Sequence, residues 1–355
     1  TGDGAVVSLL RDAGAVLLGK TTLGALAWGD VWFGGETRNP WNPKEGASGS
    51  SAGSGSATAA GLCSFGIGTE TLGSIISPSD RNGLSGLRPT FGRVSRVGAM
   101  ALCWSLDKIG PMCRFTEDTA IVLSVLNGFD EFDSGSVDMG FAYDGRQSVS
   151  DLSIGYDPSW FEGEDVNDTD KAALEALKRL GATVQQIKLP DMPVNEIMPA
   201  LGVESAAAFE ELTLSGRDDL LRRQINNAWP NSFRQARYFS AVDYVQADRL
   251  RRKLMQQTHE FFAQVDVVFG PSFGTPMLSL TNFTGQPSLA IRAGFEEITP
   301  RSLFDNPEND TDETLHRIPR SVSLWANLFD EGKMISVGRA LEAELGVVAE
   351  RPTLS

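Results

Sequence analysis

The sequence predicts an α/β protein. The chain has 355 residues, of which 41% are hydrophobic and 22% are charged. This composition is typical of a soluble globular protein with one large core or two packed lobes. Stretches with helical and strand patterns alternate along the chain, which is the order expected of the α/β class. A run rich in Gly, Ser and Ala at residues 46–74 contains both patterns, so we do not interpret it as a flexible linker.

The first elements follow this alternation. Residues 5–19 predict a short helix, a break at Gly14 and then a buried strand. Within the Gly-, Ser- and Ala-rich run, residues 57–62 favour a helix and residues 63–67 favour a buried strand. We expect the small residues of this run to let backbone segments approach one another closely.

A more acidic zone begins near residue 130. Residues 130–165 carry many acidic residues and glycines, and they predict loops around a short strand at residues 152–156. Residues 306–316 are polar and acidic, which indicates a surface loop. We find no internal repeat in the chain.

Two helix–strand units follow in this zone. The first is a helix over about residues 169–180 and a strand at residues 181–184, with Asp168 or Thr169 as the helix N-cap and Gly181 at its end. The second is an amphipathic helix over about residues 241–264, followed by a buried strand at residues 265–270. The apolar residues that indicate this helix are Val242, Val245, Leu250, Leu254 and Phe261.

Charge and composition exclude several function classes. Lys and Arg number 31 against 46 Asp and Glu, which gives a net charge of −15 and disfavours direct binding to nucleic acid. No apolar stretch reaches the ~18 residues that a membrane span needs. The three cysteines fit no short metal spacing, and we expect neither a metal nor a cofactor. Oligomeric state stays open, as does the compartment, with the cytoplasm slightly favoured.

Two short motif matches are interpreted as coincidences. Residues 14–21 fit the phosphate-loop string G-x-x-x-x-G-K-[ST], but the positions between the two glycines are those of the predicted strand. Residues 49–53 fit G-x-S-x-G, but a loop precedes them where a nucleophile elbow needs a strand. The two histidines, His259 and His316, lie in an amphipathic helix and beside an acidic loop, contexts that do not indicate catalysis.

What remains is serine chemistry without histidine. A serine hydroxyl needs a base, and lysine acting through a second hydroxyl can replace histidine in that role. Backbone N–H groups of a Gly-rich turn would then stabilise the oxyanion. Ser50 and Ser74 lie in tight loops separated by a predicted helix and strand, which fits this plan. From the residues alone, a second interpretation stays open, in which both are turn serines selected for small size.

Several motifs in series resemble those of the amidase signature hydrolases. Residues 38–43 (RNPWNP), 50–54 (SSAGS), 68–75 (GTETLGSI) and 86–95 (GLRPTFGRVS) are similar to RNPW[DN]P, SSGGS, GTDxGGSI and GLKPTxGRVS of that family. Residues 105–114 continue the match, and weaker echoes occur at residues 281–287 and 328–331. The resemblance is dense from Ala13 to Gly128 and sparse afterwards, although its order is kept to the C-terminus.

The resemblance implies a fold and a domain plan. The fold is the family's mixed central β-sheet surrounded by helices, with the N-terminal part missing. We expect a single domain over residues 1–355. Its parts are the catalytic core motifs (1–130), a variable substrate-side region (131–320) and a C-terminal return to the core (321–355).

The resemblance also implies the site residues. Ser74 is the expected nucleophile and Ser50 the relay, preceded by a cis peptide bond. The backbone N–H groups of Thr71, Leu72, Gly73 and Ser74 are the expected oxyanion hole, and Ser51 and Thr69 are expected to support the site. The family's base lysine lies in a segment upstream of everything in this chain, and Lys20 belongs to a different family landmark, so the base is expected to be outside this sequence.

Three residues depart from the family pattern. Leu72 and Ala52 each replace a glycine, which narrows the pocket while keeping the backbone N–H. Ile76 stands where the family usually has arginine, which removes a charged anchor beside the nucleophile and disfavours substrates that carry a carboxylate.

The expected function is hydrolysis of a small-molecule amide, a carboxamide cleaved through a Ser74 acyl-enzyme. Two alternatives stay open. One is a glutaminase-type subunit of a tRNA-dependent amidotransferase, whose partner would bind the tRNA. The other is a non-catalytic binding protein that retains the fold.

Overall fold

Helices and strands alternate through residues 2–162, 166–301 and 313–354, the part of the chain described by a computed structural model. The strands are β1 (Val31–Trp32), β2 (Gly35–Glu36), β3 (Arg38–Asn39), β4 (Asn42–Gly46), β5 (Phe65–Glu70), β6 (Ser85–Arg88), β7 (Lys108–Cys113), β8 (Ser153–Tyr156), β9 (Thr183–Gln186), β10 (Val267–Pro271), β11 (Ser288–Ile298) and β12 (His316–Ala326). The helices are α1 (Ala5–Asp12), α2 (Ala52–Ala59), α3 (Ile76–Asn82), α4 (Thr116–Leu126), α5 (Asp168–Lys178), α6 (Met198–Ala208), α7 (Glu210–Leu214), α8 (Trp229–Ala236), α9 (Ala241–Phe262), α10 (Met277–Thr284) and α11 (Glu331–Leu345).

The centre of the fold is a mixed sheet. Eight strands pair in the order β5-β7-β6-β11-β12-β10-β8-β9. Strand β8 runs parallel to β9 and β10, and the other neighbours are antiparallel. The long β11–β12 pair extends from Ser288 opposite Trp325 to Ile298 opposite His316. The α/β class and the mixed central sheet predicted from the sequence are confirmed.

Helices cover both faces of this sheet. Along β10, Val267 and Phe269 belong to the apolar cluster that includes residues of α4, α5 and α11. Val268 between them packs instead with residues of α9 and α10. This division follows from the strand period of two, which points successive side chains to opposite faces. Helix α2 contacts β5 and β7, and α3 packs against α2 and against β6, β11 and β12, so the two helices position the candidate site on this part of the sheet.

Most predicted elements lie close to their expected positions. Strand β8 coincides with the strand predicted at residues 152–156, and α9 and β10 occupy the predicted helix and strand of the second unit. Gly181 follows α5 with a φ of +82°, a left-handed conformation that favours glycine and ends the helix. Gly14 has a φ of +88°, also a left-handed conformation, and forms the predicted break after α1.

The prediction of a buried strand at residues 15–19 is wrong. In the structure these residues have no regular secondary structure. Val16, Leu17 and Leu18 are exposed to 81%, 61% and 72%. The local apolar pattern is that of a strand, but a strand also needs a neighbour for its backbone N–H and C=O groups, and the described residues supply none here.

The predicted cap of α5 is also wrong. Asn167, and neither Asp168 nor Thr169, is the N-cap, because its side-chain oxygen accepts a hydrogen bond from the N–H of Asp170 at 2.9 Å. Asn is among the preferred N-cap residues, and its extended backbone leaves the side chain free to reach the first turn.

The packed part of α9 is its C-terminal half. Leu254 and Phe261 are buried as predicted, whereas Val242 and Val245 are exposed to 68% and 53%. The sequence pattern alone does not reveal that the first turns of this long helix lie outside the core.

The predicted acidic loop lies only partly within the described residues. Residues 306–312 of the predicted acidic loop lie outside the described residues, while residues 313–315 are irregular and exposed. The three-part plan of a single domain stays a prediction, although the main sheet takes strands from each of its parts. Among the described helices, none has both the length and the apolar character needed to cross a bilayer.

Candidate active site

The Ser50 loop joins β4 to α2. Its Gly49–Ser50 peptide bond is cis. The Ser50 side chain is fully buried, and its Oγ has no hydrogen-bond partner within the described part of the chain. The Ser50 carbonyl oxygen accepts from the N–H of Gly24 at 3.0 Å, which fixes the loop against the segment that follows Lys20.

Two glycines, one in this loop and one in the first turn of α2, are required by close backbone contacts. A Cβ at Gly49 would lie 1.8 Å from the carbonyl oxygen of Gly29. A Cβ at Gly53 would lie 2.4 Å from the backbone nitrogen of Thr22. No side chain fits at these distances, so the small residues serve the close approach of backbone segments that the sequence predicts.

The Ser74 turn connects β5 to α3. Gly73 has a φ of +83°, so this position also favours glycine. Ser74 is only 6% exposed. The N–H of Ser51 donates to the carbonyl oxygen of Ser74 at 3.3 Å, and this bond brings the loops of the two candidate serines together.

The backbone N–H groups of the Ser74 turn fall into two sets, one without an acceptor and one bonded to Glu70. The N–H groups of Leu72, Gly73 and Ser74 have no hydrogen-bond acceptor among the described residues. The next two, of Ile75 and Ile76, donate to the Glu70 carboxylate at 2.8 and 3.0 Å. The turn therefore presents consecutive free donors, the arrangement that stabilises an oxyanion.

Ser51 and Thr69 form a local clasp. The Ser51 Oγ accepts from the N–H of Thr69 at 2.9 Å and donates to the Thr69 carbonyl oxygen at 3.1 Å. The clasp ties the start of α2 to the last residues of β5, directly before the Ser74 turn.

A buried ion pair beneath the Ser74 turn escaped the sequence analysis. Arg88 Nη1 donates to Glu70 Oε1 at 2.8 Å, and both side chains are fully buried. Burial by itself would raise the pKa of Glu70, but the Arg88 charge and hydrogen bond bring this pKa below its ordinary value. Glu70 is thus held ionised while it accepts from the first N–H groups of α3. A glutamate within the matched motif was the available signal.

The weak motif match at residues 281–287 supplies further hydrogen-bond partners to this ion pair. Asn282 Nδ2 donates to Glu70 Oε1 at 2.8 Å. Arg88 Nη2 donates to Thr281 Oγ1 and to the carbonyl oxygen of Gln286, both at 2.8 Å. Residues from a distant part of the sequence therefore fix the base of the Ser74 turn.

A second support reaches the turn through Asp107. Its Oδ1 accepts from Thr71 Oγ1 at 2.5 Å, and its Oδ2 accepts from the N–H groups of Leu102 and Cys103. The adjacent Lys108 is buried, and its Nζ donates to the carbonyl oxygen of Leu106. Burial, aided by the Arg88 charge, lowers the pKa of Lys108 to about 7.

A cavity of about 840 Å³ opens beside Thr69 and Thr71. Its wall is formed largely by residues 96–109, which connect β6 to β7 and enter β7. Residues of α6 and Tyr244 of α9 also line the cavity. The geometry thus combines two neighbouring serines, free backbone donors and an adjoining cavity, which suits attack by a serine hydroxyl on a carbonyl.

Comparison with known proteins identifies the family. The family model described as Amidase matches residues 1–333. The chain belongs to the amidase signature family. It is thus an amidase-family hydrolase, as the motifs around Ser50 and Ser74 predict, and the resemblance drawn from the sequence is confirmed.

Curated relatives of this amidase are named as subunits of glutamyl-tRNA(Gln) amidotransferase. The protein of that name from Halorhodospira halophila is 32% identical over 387 residues, which cover 95% of this chain and 76% of the relative. The one from Nitrosococcus oceani is 34% identical, covering 84% of this chain and 72% of the relative.

Solved structures agree with the family. The peptide amidase from Stenotrophomonas maltophilia superposes with a TM-score of 0.81 at 27% identity, over 99% of this chain and 78% of that one. The glutamyl-tRNA(Gln) amidotransferase subunit from Thermotoga maritima gives a TM-score of 0.75 at 25% identity, over 100% of this chain and 80% of that one.

The residues that depart from the family pattern all lie in or directly beside the candidate Ser50 loop and Ser74 turn. Ile76 is fully buried at the start of α3, and Ala52 is fully buried at the start of α2. Leu72 is half-buried within the Ser74 turn. With isoleucine at position 76, the cation that pairs with Glu70 is Arg88 of β6.

Both histidines are far in sequence from the Ser50 loop and the Ser74 turn. His259 is exposed on α9, and His316 is half-buried at the start of β12. Within the described ranges, no group of three or more His, Cys, Asp or Glu side chains could hold a metal ion.

Proposed function

We propose that this amidase hydrolyses a linear carboxamide through an acyl-enzyme on Ser74. The observation that carries the proposal is the buried Ser50 hydroxyl, which lacks any hydrogen-bond partner in the described residues and lies in a loop bonded to the backbone of Ser74. An unpaired buried hydroxyl costs free energy, so its retention beside a second serine indicates a role in the reaction.

The chemistry has two steps. The Ser74 Oγ attacks the amide carbonyl carbon, and the oxyanion is stabilised by the free N–H groups of the turn. Ser50 takes up the Ser74 proton and passes a proton to the leaving nitrogen, so that the C–N bond breaks and the amine departs. Water then attacks the Ser74 ester by the same route, releasing the carboxylic acid and restoring the serine.

A second candidate function is supply of ammonia from glutamine within an amidotransferase. It is supported by the relatives that are named as subunits of glutamyl-tRNA(Gln) amidotransferase. In that case the chain would act with protein partners, and co-purification with them would favour this function over independent hydrolysis.

Active-site labelling tests the nucleophile. A fluorophosphonate reacts with activated serines, and the intact mass reports one adduct. We expect Ser74→Ala to abolish the adduct and Ser50→Ala to slow its formation by about 10²–10³-fold, the scale of losing one catalytic group. Ser64→Ala, in an exposed position before β5, serves as the control that labels normally.

Three results would contradict parts of the proposal. Full labelling of Ser74→Ala would rule out this nucleophile. Full-rate labelling of Ser50→Ala would remove the relay. Failure to label in the full-length protein, which includes the segment expected to carry the base lysine, would favour the non-catalytic alternative.

A further inference from the structure

The cavity beside the Ser74 turn has an apolar mouth. Met100, Trp104 and Phe132 line it, and their side chains are exposed to 70%, 53% and 81%. Phe91 and Leu102 extend the apolar lining inwards. Large apolar side chains that remain exposed around one concave surface mark a binding site for an apolar group.

Arg96, which lines this cavity, already has hydrogen-bond acceptors for its guanidinium group. Arg96 donates through Nε and Nη2 to both carboxylate oxygens of Asp133, at 2.9 and 2.6 Å, and through Nη1 to the carbonyl oxygen of Trp104 at 2.5 Å. Its guanidinium also lies over the Phe91 ring at 4.8 Å. A substrate carboxylate would have to displace Asp133 from Arg96. The hydrogen bonds from Arg96 lower the pKa of Asp133 to about 2, which keeps Asp133 ionised.

The other charged groups of the wall are acidic or lack a stable positive charge. Glu204 accepts from the N–H and Oγ of Ser105, at 3.0 and 2.6 Å, and from Tyr244 OH at 3.2 Å. Asp107 already accepts from three donors, as described above. Lys108, whose pKa is about 7, is mostly neutral above that pH. A carboxylate in the described part of this cavity would therefore meet acidic neighbours without a free cation.

We infer that the acyl group of the substrate is apolar and uncharged, and that the cavity of Met100, Trp104 and Phe132 selects it. The inference rests on the proposed amidase function and names its substrate class. It also predicts that free glutamine, which carries an α-carboxylate, is a poor substrate. The burial of Ile76 agrees with this class, because the residue beside the nucleophile offers no charge to a carboxylate.

Matched substrates test the inference at about pH 8.5, where Lys108 is neutral. Hexanamide and adipamate have the same chain length and differ in a terminal carboxylate. We expect kcat/KM, measured by ammonia release, to favour hexanamide over adipamate and over glutamine by about 100-fold, because the carboxylate would be desolvated without a partner. Equal or better turnover of adipamate or glutamine would overturn the inference while leaving amide hydrolysis established.

Substitutions at the mouth of the cavity test whether the selectivity for an apolar acyl group arises there. Trp104→Ala should reduce kcat/KM for hexanamide about tenfold, and more than it reduces the value for acetamide, which is too short to reach the ring. Ile121→Ala, which removes an exposed apolar side chain from α4 outside this cavity, is the matched control. An unchanged hexanamide-to-acetamide ratio in Trp104→Ala would exclude this cavity as the acyl site.

A binding measurement separates this inference from the proposed hydrolysis. Isothermal titration of the Ser74→Ala chain should detect hexanamide binding that Trp104→Ala weakens and no adipamate binding. Binding without turnover by the full-length protein, with the segment expected to carry the base lysine, would contradict the hydrolytic function and support the ligand class. Tighter binding of adipamate than of hexanamide would overturn the ligand class, whatever the turnover.

Discussion

Single residues at this site derive their properties from burial. Lys108 and Glu70 are directly opposite each other on β7 and β5, and both are buried. Glu70 stays ionised because Arg88 and backbone N–H groups contact its carboxylate. Among the described residues, Lys108 has only the Leu106 carbonyl oxygen as a hydrogen-bond partner of its Nζ, and its pKa is therefore lowered to about 7 by burial.

The lowered pKa of Lys108 predicts a pH dependence of stability. Between about pH 7 and the ordinary value of 10.5, the unfolded chain binds a proton at this lysine that the folded chain does not. The free energy of unfolding should therefore rise with pH in this window, by at most about 1.4 kcal/mol per pH unit. Lys108→Met should lack this contribution and should be the more stable protein at pH 7.

Urea unfolding of both proteins at several pH values between 7 and 10 measures the effect. The difference between parent and Lys108→Met cancels the titration of all other groups. A difference that does not change with pH would show that Lys108 keeps its ordinary pKa in the folded protein.

The elements around the site depend on one ion pair. The Glu70 carboxylate joins the end of β5 to the start of α3, and Arg88 joins it to β6 and α10. The turn with Ser74 therefore has a rigid base, which fits the demand of catalysis for donors fixed in advance.

Loss of this ion pair should be costly. Glu70→Gln leaves Arg88 buried without its counter-charge, and we expect a loss of about 3–5 kcal/mol in the free energy of unfolding. Glu344→Gln removes one partner of the partly exposed pair with Arg179 at 2.7 Å and should cost about 0–1 kcal/mol. Urea denaturation followed by circular dichroism compares the two variants, and equal losses would contradict the structural role of Glu70.

A buried ion pair connects one of the N-terminal motifs to the C-terminal helix α11. Arg93, in one of the N-terminal motifs, donates to Glu331 of α11 at 2.8 Å, and both side chains are fully buried. It also donates to the carbonyl oxygen of Phe329 at 3.0 Å and to Asn127 Oδ1 at 2.6 Å. The echo at residues 328–331 in the sequence thus corresponds to a contact between distant parts of the described chain.

This contact predicts cooperative unfolding. Arg93→Met should leave Glu331 buried without its cation and lower the free energy of unfolding by about 3–5 kcal/mol. Because the main sheet joins strands that range from Phe65 to Ala326, circular dichroism and tryptophan fluorescence should report the same shifted urea transition. Two separate transitions would contradict the single-domain prediction for residues 1–355.

The sequence predicts much of the fold and names the candidate serines. Helix α9 and strands β8 and β10 follow from local apolar periodicity, and the loops of Ser50 and Ser74 follow from motifs of a few residues. Periodicity fails where a distant neighbour decides the outcome. Residues 15–19 have a strand pattern but no pairing partner among the described residues, and Val242 lies on a part of α9 that does not pack.

The sequence by itself determined the α/β class, the family and the local turns, because each depends on residues close together in the chain. Tertiary structure decided what supports and surrounds the turns. Asn282 and Glu70 are 212 positions apart and meet through the order and register of the central sheet. The cavity with the apolar mouth likewise forms only where residues of α6 and α9 lie beside the segment before β7. Such contacts follow from packing across the whole core, which no local pattern encodes.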